Sequence, residues 1–125
     1  MLELSEAMAF LPSENLDRSE QFFSGQLNLP LMSRSPFACV FSCGETQLRV
    51  TKVDSLRPQP FTVFGWLVVN IHVCIEQLEE REVNLLRYEG VNQDEHGVWT
   101  TPNGDSVAWF KDPDLNVLSL TEVAA

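Results

Sequence analysis

The stretch Phe110-Lys111-Asp112-Pro113-Asp114-Leu115-Asn116-Val117-Leu118-Ser119-Leu120 reads as an apolar run, a turn and a second apolar run. Pro113 presets the backbone for a reversal, and a neighbouring Asp folds its side chain onto nearby amides. Two strands are therefore expected, Asp105 to Lys111 and Asn116 to Glu122. Working upstream, Gly90 to Gly104 reads as a long loop with the turn signal Pro102-Asn103-Gly104, and Val83 to Tyr88 as another strand. Ahead of these, Val63 to Val69 forms a strand closed by Asn70 as a helix cap. A helix from about His72 to Glu82 follows, with Cys74, Ile75 and Leu78 inward.

The first half of the chain runs in the same order. Ala7 to Leu11 is a short strand expected to stop at Pro12, and Asn15 caps a helix from Leu16 to Leu27, whose last turn Gly25 weakens. Pro30 and Pro36 bracket a short extended segment, Phe37 to Cys43 reads as a strand, and Gly44-Glu45 turns the chain. Gln47 to Val53 alternates Leu48, Val50 and Val53 with Gln47, Arg49, Thr51 and Lys52, the period of a sheet with two unlike faces. Asp54 to Pro60 is a linker. The strand-helix-three-strand order thus occurs twice, which predicts an α+β fold of two βαβββ modules in one domain, 1–125. Module one spans about 1–53, the linker 54–60 and module two about 61–125. Each half is expected to cover the other's open sheet around a shared cleft.

Composition narrows the function classes. A chain of 125 residues, 44% hydrophobic and 21% charged, can bury a core without staples. The longest apolar stretch, Phe61 to Val69, is too short to span a bilayer, and the acidic Met1-Leu2-Glu3-Leu4-Ser5-Glu6 is unlike a signal peptide, so no membrane association and a cytoplasmic location are expected. Cys39 and Cys43 stand four apart on one strand, about 13 Å, too far to bridge, and all three cysteines lie among apolar neighbours, so reduced core thiols are expected. A net charge of -10 repels phosphate backbones, which argues against nucleic acid as a partner. Residues 63 to 125 carry eleven acids against three bases, a bias that suits a cationic ligand or simply a solvated surface. No phosphate-binding Gly loop and no supported nucleophile triad occurs, and Glu79-Glu80 and Asp94-Glu95 read as exposed acidic pairs.

The chain resembles the vicinal oxygen chelate superfamily, which includes glyoxalase I, the bleomycin resistance proteins and the extradiol dioxygenases. The resemblance is carried by Asn15-Leu16-Asp17-Arg18-Ser19-Glu20-Gln21-Phe22-Phe23 leading to Leu27-Asn28-Leu29, by Thr101-Pro102-Asn103-Gly104, and by the hairpin quoted at the outset. It implies a glyoxalase-like open half-barrel. The family commonly has Gly where this chain has Leu115, and a left-handed Leu would be strained, so another turn type is expected there. Metal-dependent members bind their ion with His and Glu. The resemblance sets the equivalent positions at Met8, Arg49, Trp66 and Ser119, and a slip of one residue brings in no donor either. His72 and His96 read as solvated. No metal and no cofactor are expected.

What the resemblance leaves is a cleft lined by Met8, Phe10, Arg49, Trp66 and Ser119, joined by Phe41, Trp99 or Trp109: aromatic walls with one cation and one hydroxyl. It implies a metal-free small-molecule binding protein similar to the bleomycin resistance branch, without catalysis, acting as a homodimer. One alternative is a metal-independent lyase, isomerase or dioxygenase-like enzyme, with Arg49 stabilising an oxyanion and Glu45 as base. The other is an oligomerisation or interaction domain whose cleft is vestigial.

Overall fold

Two asparagines start the two main helices by the same device. Asn15 and Asn70 hold extended backbone, and their side-chain oxygens accept from the amides of Arg18 at 3.1 Å and Val73 at 3.2 Å. Each pairs an amide that a helix start would otherwise leave bare. The computed structural model describes residues 1–125 and consists of two compact units, Met1–Pro58 and Gln59–Ala125.

In the first unit β1 (Met8–Ser13) leads into α1 (Leu16–Glu20), then β2 (Leu31–Arg34), β3 (Ala38–Cys43) and β4 (Thr46–Lys52). The sheet order is β1-β4-β3-β2, with β1 parallel to β4 and the other pairs antiparallel. Parallel partners need a crossover, and α1 lies within it. The second unit repeats this plan. Its β5 (Thr62–Leu67), α2 (Ile71–Glu80), β6 (Trp99–Thr100), β7 (Ser106–Lys111) and β8 (Val117–Glu122) form a sheet of order β5-β8-β7-β6, again with only the outer pair β5 and β8 parallel. The α+β fold of two βαβββ modules is therefore present.

One face of each sheet carries its helix. In the first unit Cys39, Phe41, Leu48 and Val50 are fully buried on that face; the Phe41 ring lies 5.5 Å from Phe23, and the Cys39 thiol donates to the Leu16 carbonyl at 3.8 Å. In the second, Ala108, Phe110, Leu118 and Leu120 are buried, and the Glu122 carboxylate of β8 accepts from the Ile71 amide at the start of α2, 2.8 Å away. Burying each large side chain contributes about 1.5–3 kcal/mol. All three cysteines are free thiols. Burial pushes those of Cys39 and Cys74 above the usual thiol range, which disfavours the reactive thiolate.

Four expectations change in detail. β1 does not stop at Pro12 but runs to Ser13; as an edge strand of its sheet it loses no ladder bond to the missing proline N–H. The first helix is α-helical only over Leu16–Glu20 and continues as a π-helical turn, Gln21–Gln26, before Asn28 ends it with a φ of 60°. Val83 to Tyr88 is not a strand: the Leu86 amide donates to the Trp109 carbonyl at 2.7 Å, but Gln93 accepts from the Tyr88 amide at 2.7 Å and donates to the Leu86 carbonyl at 2.9 Å, so no ladder continues from that one bond. The outer strand of that sheet is Trp99–Thr100 instead, inside the stretch expected to be loop. Leu115 keeps a φ of 69°, so the turn does not change type and the strain is carried. The turn is held by Asp112, whose carboxylate accepts from the amides of Asp114 and Asn116, both at 2.9 Å, and from the Asn116 side chain at 2.8 Å.

Candidate functional site

Strand alternation puts the candidate residues on the faces turned away from the helices. In the first unit Phe10, Arg49 and Val40 form one row across β1, β4 and β3, with Met8, Gln47 and Ser42 in the row beside it. Phe10 is 60% exposed and Met8 41%, while Arg49 is half-buried. No hydrogen bond or ion pair within the protein engages the Arg49 guanidinium. The structure therefore brings Met8, Phe10 and Arg49 together. Phe41 stands apart from them: it is fully buried against Phe23 on the α1 face, because it pairs with Leu48 rather than with Arg49.

In the second unit the corresponding row is Gly65, Ser119 and Trp109 across β5, β8 and β7. Trp66 is one residue further along, opposite Leu120, and its ring stacks on Phe110 at 6.0 Å with Phe64 edge-on at 4.9 Å. It thus belongs to the helix-bearing face and does not share a face with Ser119. An irregularity between Thr62 and Phe64 offsets the register, and a shift of one residue turns a side chain to the opposite face. Gly65 is required where it is: a Cβ there would lie 2.6 Å from the Ser119 hydroxyl oxygen and 2.8 Å from its carbonyl oxygen. Trp99 and Trp109 do come together, their rings stacked 6.2 Å apart, and Tyr88 meets Trp109 edge-on at 5.3 Å. Tyr88 lies in the segment whose backbone is tied by Gln93, which accepts from the Tyr88 amide at 2.7 Å.

A hollow of about 250 Å³ beside Trp99 is lined by Asn92, Gln93, Asp94, Val98 and Thr100. A larger one, about 430 Å³, lies among Glu79, Asn84, Arg87, Glu95 and His96. The Asp94 carboxylate is spent on the turn. Burial works against its charge, but the amides of Val98 and His96 and the His72 ring, 3.4 Å away, hold it below the usual carboxylate range.

Nothing on the two faces suits the metal that the resemblance brings to mind. Met8, Arg49, Gly65 and Ser119 offer no imidazole or carboxylate, and no group of three His, Cys, Asp or Glu is positioned to hold an ion. His72 and His96 lie outside both faces, each half-exposed and each 3.4 Å from one carboxylate, Asp94 and Glu95 respectively.

No protein-family model matches the sequence, and no curated protein matches it. Solved structures do. A bleomycin-binding protein complexed with bleomycin is 18% identical, with a TM-score of 0.74, over 96% of this chain and 99% of the other. A lactoylglutathione lyase from Agrobacterium tumefaciens is 17% identical, with a TM-score of 0.73, over 95% and 93%. A glyoxalase/bleomycin resistance protein/dioxygenase from Alicyclobacillus acidocaldarius is 16% identical, with a TM-score of 0.71, over 98% and 93%. The chain has the vicinal oxygen chelate fold. No helix is long and apolar enough to cross a membrane.

Proposed function

We propose that this protein binds a small molecule on the sheet faces turned away from its helices and does so without a metal. The observation that supports this reading is the pair Arg49 and Ser119. They occupy equivalent places on the two inner strands β4 and β8, and neither side chain has a hydrogen-bond partner within the protein. Within its own unit each face has the composition of a binding surface, an unpaired cation beside exposed Phe10 in the first and an unpaired hydroxyl beside Trp109 in the second: apolar walls with few orienting polar groups. The fold is shared with a protein that binds bleomycin, which is compatible with binding and does not name the ligand. The enzyme reading has weaker support, since Glu45 lies exposed in the β3–β4 turn, four residues or about 13 Å along the strand from Arg49. We further propose a homodimer, which light scattering would report, and a cytoplasmic location, which cell fractionation would report.

A thermal-shift screen of acids, amines and planar drugs tests the proposal. Phe10→Ala should weaken hits by about 1–3 kcal/mol through the lost aromatic wall. Hits that bind Phe10→Ala and Arg49→Ala as tightly as the parent would move the site off this face. Elemental analysis showing about one tightly held transition metal per chain would refute the metal-free part.

A further inference from the structure

The chain carries eighteen carboxylates, yet only one of them, Glu122, lies in a strand, and it is turned to the helix face where it accepts from Ile71. Every other Asp and Glu lies in a helix, a turn or a loop. The strand positions on the opposite faces carry no acid at all, and they do carry Arg49 and Lys111. In a protein of net charge -10 this is a separation of charge: two non-acidic strand faces on a molecule that is otherwise strongly negative. Of the two strand cations on the helix side, Arg34 is neutralised by ion pairs to Asp17 at 2.9 Å and Glu20 at 2.8 Å, and Lys52, at the end of β4, donates to the Val53 carbonyl at 3.1 Å. Arg49 has no such pair.

We propose that the β1–β4 face of the first unit recognises organic anions, a carboxylate or a similar head group on an aromatic or hydrocarbon body, with Arg49 taking the head and Phe10 and Met8 the body. The inference rests on the binding function proposed above and names its ligand class. Guanidinium is the side chain best matched to a carboxylate, since its planar fork donates two parallel hydrogen bonds. Phe10 and Arg49 are direct partners across adjacent strands, about 5 Å apart, so a head group on one leaves its attached body over the other. A cationic ligand, which the overall charge invites, would meet the unpaired guanidinium at this face and be repelled.

The test compares three probes of one shape on the full chain by calorimetry: hydrocinnamate, phenylpropylamine and the uncharged phenylpropanol. The acid should bind about tenfold more tightly than the amine and the alcohol, and added salt should narrow the gap. Arg49→Gln should abolish the preference, Arg49→Lys should keep most of it, and Phe10→Ala should weaken all three alike. An amine or alcohol that binds as well as the acid overturns the anion inference while the binding face stands. A preference for the acid that survives Arg49→Gln assigns the head group to another cation and overturns it too. Binding by none of the probes up to about 10 mM, or binding indifferent to both Arg49→Gln and Phe10→Ala, overturns the binding face itself. The comparison of probes on the unaltered chain needs no variant, so a misfolded variant does not blunt it.

Discussion

The two units repeat each other on one face and part company on the other. Both begin a helix with an Asn cap, both place a parallel strand beside the last strand of the module, and both bury large apolar side chains under the helix. On the opposite face the matching rows are Phe10, Arg49 and Val40 in one unit and Gly65, Ser119 and Trp109 in the other. The bulk has moved from the outer strand to the inner neighbour, and the cation has become a hydroxyl. Packing against a helix constrains shape closely, whereas a face that packs on no helix of its own unit is free to take the chemistry a ligand asks for.

The sharpest way to break this comparison is to cut the same kind of side chain from the two faces of one sheet. Phe41→Ala should cost about 3–5 kcal/mol in urea unfolding, because it empties a fully buried site against Phe23. Phe10→Ala, at 60% exposure, should cost under about 1 kcal/mol. Equal losses would mean that the two faces are not as distinct as their burial.

The closing turns of the last hairpin in each unit differ in charge, and pH should expose it. Burial pushes the Asp112 carboxyl up to about 6, although the Asn116 side chain and the amides of Asn116 and Asp114 pull the other way. Its folded value exceeds the unfolded one near 3.9, so the folded state holds the proton more tightly between the two. Stability from this group is therefore full below about pH 4, falls as pH rises, and is lost by about 6, a change of up to about 3 kcal/mol. In the β3–β4 turn of the first unit Ser42 donates to the Gly44 carbonyl at 3.3 Å and the one acid, Glu45, is exposed, so no buried carboxyl is there to respond. Amide exchange at the two hairpins, followed from pH 4 to 7, would separate them; equal responses would refute the assignment.

Much of the helix-side plan could be read in the sequence, because caps, turn residues and the alternation of Leu48 and Val50 are local signals. Arg49 was legible for the same reason, as the polar member of an alternating strand. Phe41 was not, since Ala38 to Phe41 are all buried and apolar, so no alternation marks which side each one faces. Trp66 was misread because the irregularity near Val63 offsets the register and leaves no sequence mark of its own. Val83 to Tyr88 has strand-like composition, and only the tertiary position of Gln93 takes the Tyr88 amide and the Leu86 carbonyl, leaving a single backbone bond from Leu86 to Trp109.

Gly65 against Phe10 sharpens the comparison at the matching outer-strand position. Gly65→Ala should cost about 1–3 kcal/mol, since the added carbon meets the Ser119 carbonyl oxygen at 2.8 Å, and backbone yields less readily than a side chain. Adding Ser119→Ala should restore only part of the loss, because it clears the hydroxyl and leaves the carbonyl. Full rescue by that second change would show that the side chain alone demands the glycine.

The smallest effect lies in the turns themselves. Gly44 in the first unit and Leu115 in the second both take the left-handed conformation, at φ 59° and 69°. Glycine meets that conformation without penalty, while Leu brings its Cβ close to the backbone at a cost of about 1–2 kcal/mol. Leu115 is 55% exposed, so its side chain returns little packing for that cost. Leu115→Gly should therefore stabilise the protein by about 0.5–1 kcal/mol, the relief being reduced by the greater freedom of Gly in the unfolded chain. Gly44→Leu, where a Cβ meets nothing within 4 Å, should destabilise by about the same strain and nothing more. Chemical denaturation of the two single variants and of the double exchange measures this. If Leu115→Gly instead destabilises the chain, the exposed leucine is held by something its turn geometry does not reveal, and the strain argument for the closing hairpin fails.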